Sequence, residues 1–234
     1  MNTIITQPNG SMLDHIAWVV PDVKQGIEQI ADLTGAQPFL MPEPEPGAYY
    51  WSGGLVIGDG PQVLEIIGHN PNYEGQQPFF HVLRSFPEPR LLFWYIGLND
   101  FDAFATQADA AGSPLSNVEH FVPPDEGFSE YKRGLIGAHF SFLIPNVIQW
   151  IHRRKEWARH PDRSCTMHSF VVEHPEPEDL QQRYIRIGIV QPVQQGDQPA
   201  LRLTLSTPKG LVELAGVGDP LEALPQDLRE RTSE

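Results

Sequence analysis

A short pattern of apolar residues around one polar residue occurs three times along the chain. The three segments span residues 63–67, 147–151 and 211–215, with Glu65, Gln149 and Glu213 at their centres. Apolar neighbours on both sides of the polar residue favour buried strands. A buried polar side chain needs a partner, so each central residue is a candidate for function.

A second unit precedes each of these segments: an apolar strand, a turn and a short amphipathic helix. In the first copy, strand 13–20 is followed by the Pro21-Asp22 turn, and a helical pattern stops at Gly35. In the second copy, strand 91–98 leads through Asn99-Asp100 into a helical pattern that stops at Gly112. The third copy, strand 167–172 with a prolyl turn, is weaker. Acidic caps before the helices and glycines after them are typical helix boundaries.

Between each helix and the final strand there is room for two more strands, around residues 49–57, 128–142 and 201–206. The repeating unit is therefore βαβββ, and the fold class is α+β with mixed sheets. We predict two modules at 12–70 and 90–152 that form one domain over residues 12–152. A connector at 153–164, a third, shorter module at 165–217, and tails at 1–11 and 218–234 complete the chain.

Alignment of the modules by their turns places His15, Phe93 and His168 at one position of the first strand. It places the three polar residues of the recurring segment at one position of the last strand. Strand alternation predicts that His15 shares a face with Leu13, Ala17 and Val19. A single His or Glu in an apolar strand is more often a hydrogen-bonded structural residue, but the recurrence in register favours a metal site.

Composition limits both the partners that the chain could bind and the residue types that could ligate a metal. A net charge of −14 and a pI near 5.0 oppose binding to nucleic acid. The single cysteine, Cys165, excludes a cysteine-rich metal site, so His, Asp, Glu or amide groups would have to hold a metal. Without a basic leader or a long apolar run, we expect a cytoplasmic protein that does not associate with a membrane.

Residues 13–22, Leu-Asp-His-Ile-Ala-Trp-Val-Val-Pro-Asp, resemble the start of glyoxalase-like domains of the vicinal-oxygen-chelate superfamily. Residues 57–67 resemble the fourth strand of the same module. The resemblance implies curved, facing sheets around a divalent metal such as Zn, Ni, Mn or Fe, with ligands from the first and fourth strands.

Three arrangements of the modules follow from this resemblance. Modules one and two would offer His15, Glu65 and Gln149, whereas Phe93 cannot ligate. Modules one and three would offer the full set of His15, Glu65, His168 and Glu213. Alternatively, module three would pair with its own copy in a homodimer.

The function implied by the resemblance is a metal-dependent isomerase, lyase or dioxygenase that acts on a small oxygenated substrate. The metal would chelate two neighbouring oxygens as a Lewis acid, with Glu65 or Glu213 as the base. The alternative is a metal-free protein that binds and sequesters a small aromatic or drug-like ligand. The phenyl ring of Phe93 and the amide of Gln149 favour this alternative.

Overall fold

The first module of the computed structural model begins with a strand that enters a well-capped helix. The structure describes residues 12–45, 47–123, 129–138, 140–152, 160 and 162–220. The Asp22 carboxylate accepts the Gln25 N–H (2.9 Å), and Gly35 ends the helix in the left-handed conformation (φ 74°). The elements are β1 (Met12–Val19), α1 (Val23–Thr34), β2 (Phe39–Leu40), β3 (Tyr50–Val56) and β4 (Val63–His69).

The second module repeats this order after a short linking helix. That helix, α2 (Pro78–Arg84), was not predicted from the sequence. Asp100 caps the helix of the module by accepting the Ala103 N–H at 2.9 Å. The elements are β5 (Arg90–Gly97), α3 (Phe101–Ala110), β6 (Leu115–Phe121), β7 (Glu130–Ile136) and β8 (Asn146–His152).

Modules one and two share one mixed sheet of eight strands, in the order β2-β3-β4-β1-β5-β8-β7-β6. Within each module the first strand runs parallel to the fourth, and β1 joins β5 in antiparallel fashion across the middle. The predicted α+β class with mixed sheets is confirmed. Of the arrangements left open by the sequence, the structure has module one beside module two.

The third module has the predicted order of elements but a different order of strands. Its sheet runs β10-β9-β11-β12, so β11 separates the first strand from the last, whereas β1 and β4 are neighbours. The elements are β9 (Thr166–His174), α4 (Pro177–Ile187), β10 (Val193–Gln195), β11 (Ala200–Thr207) and β12 (Gly210–Val217). Modules one and three therefore share a sequence repeat but differ in which strands are neighbours in the sheet.

The two faces of the eight-stranded sheet are covered differently. One face packs against α1, α3 and the third module, around Trp18, Trp94, Phe170 and Tyr184. The Trp94 indole N–H (3.1 Å) and the Tyr184 hydroxyl both donate to the Leu143 carbonyl, which fastens module three to module two. The opposite face, called here the cavity face, is covered in part by α2.

None of the helices within the described ranges combines the length and the apolar character that a membrane crossing requires. Residues 1–11, residues 221–234 and most of the predicted connector lie outside the described residues.

Candidate functional site

The cavity face holds a cavity of about 780 Å³. Strands of both modules and α2 contribute to its walls. Much of the lining is aromatic, and a small set of polar side chains interrupts it. These polar residues are His15, Ser52, Glu65, Gln77, Asn117, Glu119, Ser129, Arg133 and Asn146. A concave, mainly apolar cavity with a few convergent polar groups is the usual form of a small-molecule site.

An irregularity in β1 determines where His15 points. The pairing of β1 with β5 shifts between Leu13 and His15, so Leu13 packs in the core on the opposite face. His15 lines the cavity instead, on the same side as Ala17 and Val19. The expectation that Leu13 shares the face of His15 was therefore wrong, because a bulge interrupts simple alternation.

The bulge brings the Asp14 carboxylate beside the imidazole of His15. Asp14 Oδ1 lies 2.8 Å from His15 Nδ1, and both side chains are buried. The Trp150 indole N–H donates to the other oxygen, Asp14 Oδ2, at 3.0 Å. Gly97 leaves room for this carboxylate, since a Cβ there would lie 3.3 Å from Asp14 Oδ2. A carboxylate at Nδ1 favours the tautomer that leaves the Nε2 lone pair towards the cavity.

Glu65 faces the same ring from the neighbouring strand. Its Oε2 lies 3.8 Å from His15 Nε2, and the exposed fractions of the two side chains are 14% and 10%. That distance is too long for a hydrogen bond. The Tyr95 ring stacks on the imidazole at 4.2 Å with an interplanar angle of 20°. His15 is therefore held between a carboxylate and an aromatic ring, with Nε2 directed to a second carboxylate.

In module two the strand register identifies the structural counterpart of Glu65. Glu65 lies opposite Ala17, the second residue after His15. Asn146 lies opposite Tyr95, the second residue after Phe93. Both Phe93 and Asn146 line the cavity. The counterparts of His15 and Glu65 are thus a phenyl ring and a carboxamide.

Gln149, which the sequence alignment matched to Glu65, points to the other face of β8. Its Oε1 accepts the Phe101 N–H at 3.0 Å, and its Nε2 donates to the Asn99 carbonyl at 2.9 Å. The alternation of β8 directs Ile148 and Trp150 into the cavity. Gln149 therefore supports the start of α3 and does not join the site.

His168 and Glu213, the candidates from module three, lie in the four-stranded sheet. Both residues are exposed, and Glu213 forms an ion pair with Arg202 (Nη1–Oε1 3.0 Å). Because β11 separates their strands, they do not face each other as His15 and Glu65 do. The structure does not bring them to the cavity of modules one and two.

The residues in the cavity supply only part of the predicted ligand set. A cation near His15 would find two strong ligands, the imidazole Nε2 and the Glu65 carboxylate. The matching positions of module two supply only a neutral amide, from Asn146, and the donor-free ring of Phe93. Within the described ranges, no group of three His, Cys, Asp or Glu side chains could hold a metal ion. These residues do not fit a divalent centre with the usual three or four protein ligands.

An arginine and several phenols complete the polar side of the cavity. Arg133 on β7 binds Glu119 Oε2 through Nε (2.7 Å) and Nη2 (2.6 Å). Burial raises the pKa of Tyr95 to about 12, with Arg133 lowering it and Glu65 raising it by smaller amounts, and Tyr95 is hydrogen-bonded to Asn146. Burial, followed by the charge of Glu65, raises the pKa of Tyr50 well above its ordinary value. Both phenols therefore stay neutral near pH 7.

Sequence reasoning missed Asp14, Tyr95, Arg133 and Asn146. A signal existed only for Asp14, because an acidic residue directly before His15 interrupts an apolar strand. The other three occupy positions that only the strand register defines, and none of them stands out in the sequence.

A family model described as a glyoxalase-like domain matches residues 13–188, which is more than half of the chain of 234 residues. A comparison with curated protein sequences found no match.

Among solved structures, a hypothetical protein from Staphylococcus aureus is similar with a TM-score of 0.55 at 10% identity, over 87% of this chain and 84% of that one. A mutant 4-hydroxymandelate synthase from Streptomyces coelicolor has a TM-score of 0.49 at 13% identity, over 93% of this chain and 65% of that one. A methylmalonyl-CoA epimerase variant from the same organism has a TM-score of 0.42 at 17% identity, over 62% of this chain and 97% of that one. At such identities the likeness concerns the fold alone.

Proposed function

Since the chain belongs to the glyoxalase-like domain family, we propose that it is an enzyme that transfers a proton within a small oxygenated substrate. The proton leaves a carbon atom next to a carbonyl group while the substrate lies in the cavity. The observation that carries the proposal is the series Asp14, His15 and Glu65, in which each group faces the next and the first two are buried.

His15 is the base in this proposal. Asp14 accepts the Nδ1–H, so Nε2 is free to accept the substrate proton, and the carboxylate stabilises the imidazolium that forms. The electron pair of the broken C–H bond moves to the carbonyl oxygen, which becomes an enolate. Trp150 affects the proton transfer through Asp14, for which it is a positioning residue.

Glu65 is the second proton carrier. Its carboxylate faces the same Nε2 at 3.8 Å, so it can take from His15 the proton that left the substrate and deliver it to a neighbouring substrate atom. One group that removes a proton and another that delivers it are what an isomerisation requires. Glu213, the other predicted base, lies outside this cavity and keeps no such role.

Neutral donors from module two stabilise the enolate oxygen. Tyr95 stacks on the ring of His15, and Asn146 lies opposite Tyr95 on the neighbouring strand. Because burial raises the pKa of Tyr95 to about 12, its hydroxyl stays protonated near neutral pH. It can therefore donate a hydrogen bond to the enolate oxygen. Preorganised donors directed at a developing negative charge are a large part of catalysis in such sites.

The proposal assigns no step to a divalent metal. Phe93 and Asn146 occupy the positions from which module two would supply its ligands, so a cation would depend on His15, Glu65 and substrate oxygens. We expect elemental analysis of protein purified without chelators to find well below one equivalent of transition metal per chain. A full equivalent that is lost in His15→Ala would contradict this part of the proposal.

The proposal is tested by following deuterium incorporation into 2-oxo acids and 2-hydroxyketones in D₂O by proton NMR. We expect the wild-type protein to accelerate exchange at the carbon next to the carbonyl group. His15→Ala and Glu65→Gln should lose the acceleration, whereas His168→Ala, which changes an exposed histidine outside the cavity, should retain it. Equal exchange in wild type and His15→Ala would contradict the proposal.

A second candidate function, sequestration of an aromatic ligand, is favoured by the aromatic walls and by Phe93 at a ligand position. The two functions differ in what His15 does. A binding protein would keep its affinity in the His15→Ala, Glu65→Gln double variant and would not accelerate exchange in any form.

A further inference from the structure

We infer that the substrate is a 2-oxo carboxylate that carries an aromatic ring, with the ring against the aromatic wall and the carboxylate on Arg133. The inference rests on the proposed function and names the class of molecule on which it acts. Three properties of the cavity support it: size, wall and charge.

The size of the cavity excludes a very small substrate as the best fit. A volume of about 780 Å³ lies in the range of sites that hold drug-sized ligands, about 300–1,000 Å³. A three-carbon oxo acid would leave most of the aromatic lining in contact with water. A substrate with a ring would cover this lining and bury its own apolar surface.

The wall is formed by aromatic side chains from several elements. Phe79 of α2 packs edge-on against Phe93 of β5, with ring centroids 5.6 Å apart. Tyr131 of β7 packs edge-on against Trp150 of β8, with centroids 5.6 Å apart and an interplanar angle of 69°. A further aromatic ring gains from edge-to-face or offset contact with such a wall, beyond the area that it buries.

Arg133 supplies the charge. Among the described residues that line the cavity, it is the only arginine or lysine. Glu119 occupies Nε and Nη2 through one oxygen, while Nη1 makes no hydrogen bond within the described ranges. Burial would lower the pKa of Arg133, but Tyr95, Tyr131 and Glu119 outweigh it and raise the value. The planar guanidinium stays charged and keeps an edge for a second carboxylate.

The two ends of the proposed substrate fit within one site. Arg133 Cζ lies 5.6 Å from the centre of the Tyr131 ring, which packs against Trp150. Trp150 in turn donates to Asp14, the carboxylate that lies beside His15. A carboxylate on Arg133 and a reacting carbon beside the proton-transfer groups can therefore belong to one molecule of the size that the cavity holds.

The test compares three probes by isothermal titration calorimetry. Phenylpyruvate has the ring, the carbonyl and the carboxylate, pyruvate lacks the ring, and phenylacetone lacks the carboxylate. We expect phenylpyruvate to bind at least about tenfold more tightly than either of the others, because each lacks one class of contact. Equal affinity of wild type for all three probes would overturn the inference without the need for any variant.

Variants test the role of Arg133. Arg133→Gln should weaken phenylpyruvate binding by about tenfold to a hundredfold and leave phenylacetone binding unchanged. Arg202→Gln is the matched control, since Arg202 also binds carboxylates and is similarly exposed (37% against 31%) but lies on β11. An equal loss for both probes in Arg133→Gln, or the same loss in Arg202→Gln, would overturn the assignment.

Failure of this inference is distinct from failure of the proposed function. Tight, Arg133-dependent binding of phenylpyruvate without accelerated deuterium exchange would support the aromatic carboxylate as ligand and contradict proton transfer. Accelerated exchange of pyruvate, with no preference for phenylpyruvate, would support proton transfer and overturn the aromatic class.

Discussion

Asp14 Oδ1 lies 2.8 Å from His15 Nδ1, on a bulge of β1 that turns one side chain beside the other. The contact joins adjacent residues of a strand, whose side chains would point to opposite faces in a regular sheet. It fixes the orientation and the tautomer of the one histidine among the described residues that line the cavity.

Asp14→Asn should reduce the rate of deuterium exchange by about a hundredfold or more, because an amide can leave the imidazole in the wrong tautomer. The folded structure should persist, since the shape of the side chain is conserved. Asp59→Asn, at an exposed turn position, serves as the control. An unchanged exchange rate in Asp14→Asn would show that this carboxylate is only structural.

Trp150→Phe should lower the exchange rate by about tenfold, because Asp14 loses a hydrogen bond worth about 1.5 kcal/mol. The effect should appear in the pH profile of exchange, since the basicity of the Asp14 carboxylate changes. Trp51→Phe removes a similar indole N–H bond, to the Met41 carbonyl at 2.9 Å, from a residue that neither lines the cavity nor contacts Asp14. Equal effects of the two substitutions on the pH profile would contradict a positioning role for Trp150.

Asn146→Ala and Gln149→Ala should have different effects, because only Asn146 is the structural counterpart of Glu65. Asn146→Ala should slow exchange by about a hundredfold to a thousandfold, as for the loss of one donor to an oxyanion. Gln149→Ala should lower the free energy of unfolding by about 1–3 kcal/mol through its two lost hydrogen bonds, with little change in exchange. Rate measurements together with urea denaturation of both variants check this, and the reverse pattern would contradict the register.

Tyr95 should make stability depend on pH in alkaline solution. Its pKa is about 12 in the folded protein because of burial, and about 10 in an unfolded chain. Between these values the unfolded state has lost a proton that the folded state keeps, so stability falls as the pH rises. Urea denaturation should show a smaller loss between pH 10 and 12 in Tyr95→Phe than in wild type. An equal loss would contradict the burial of a neutral phenol.

The sequence predicted the parts of the fold that local chemistry determines. The caps at Asp22 and Asp100 and the glycine at position 35 lie where the turn signals indicate. The strands with polar centres are also in place. Each of these features depends on residues that are close together along the chain, so the pattern alone is informative.

Features that depend on long-range pairing were not predictable in the same way. The bulge at Asp14 changed which neighbours share the face of His15. The sequence alignment of β8 matched Gln149 to Glu65, whereas the strand register matches Asn146 to Glu65. The strand order of module three, which keeps His168 away from Glu213, depends on the pairing of β9 with β11 across the rest of the module. The short helix α2 carries no strong periodic signal, because only seven residues form it.

The most direct test of the central claim is a double-mutant cycle on His15 and Glu65, measured as deuterium exchange into the best substrate. If the two side chains transfer protons as a unit, then His15→Ala, Glu65→Gln and the double variant should lose similar amounts of rate acceleration. Losses that simply multiply in the double variant, or acceleration that persists in it, would contradict the account.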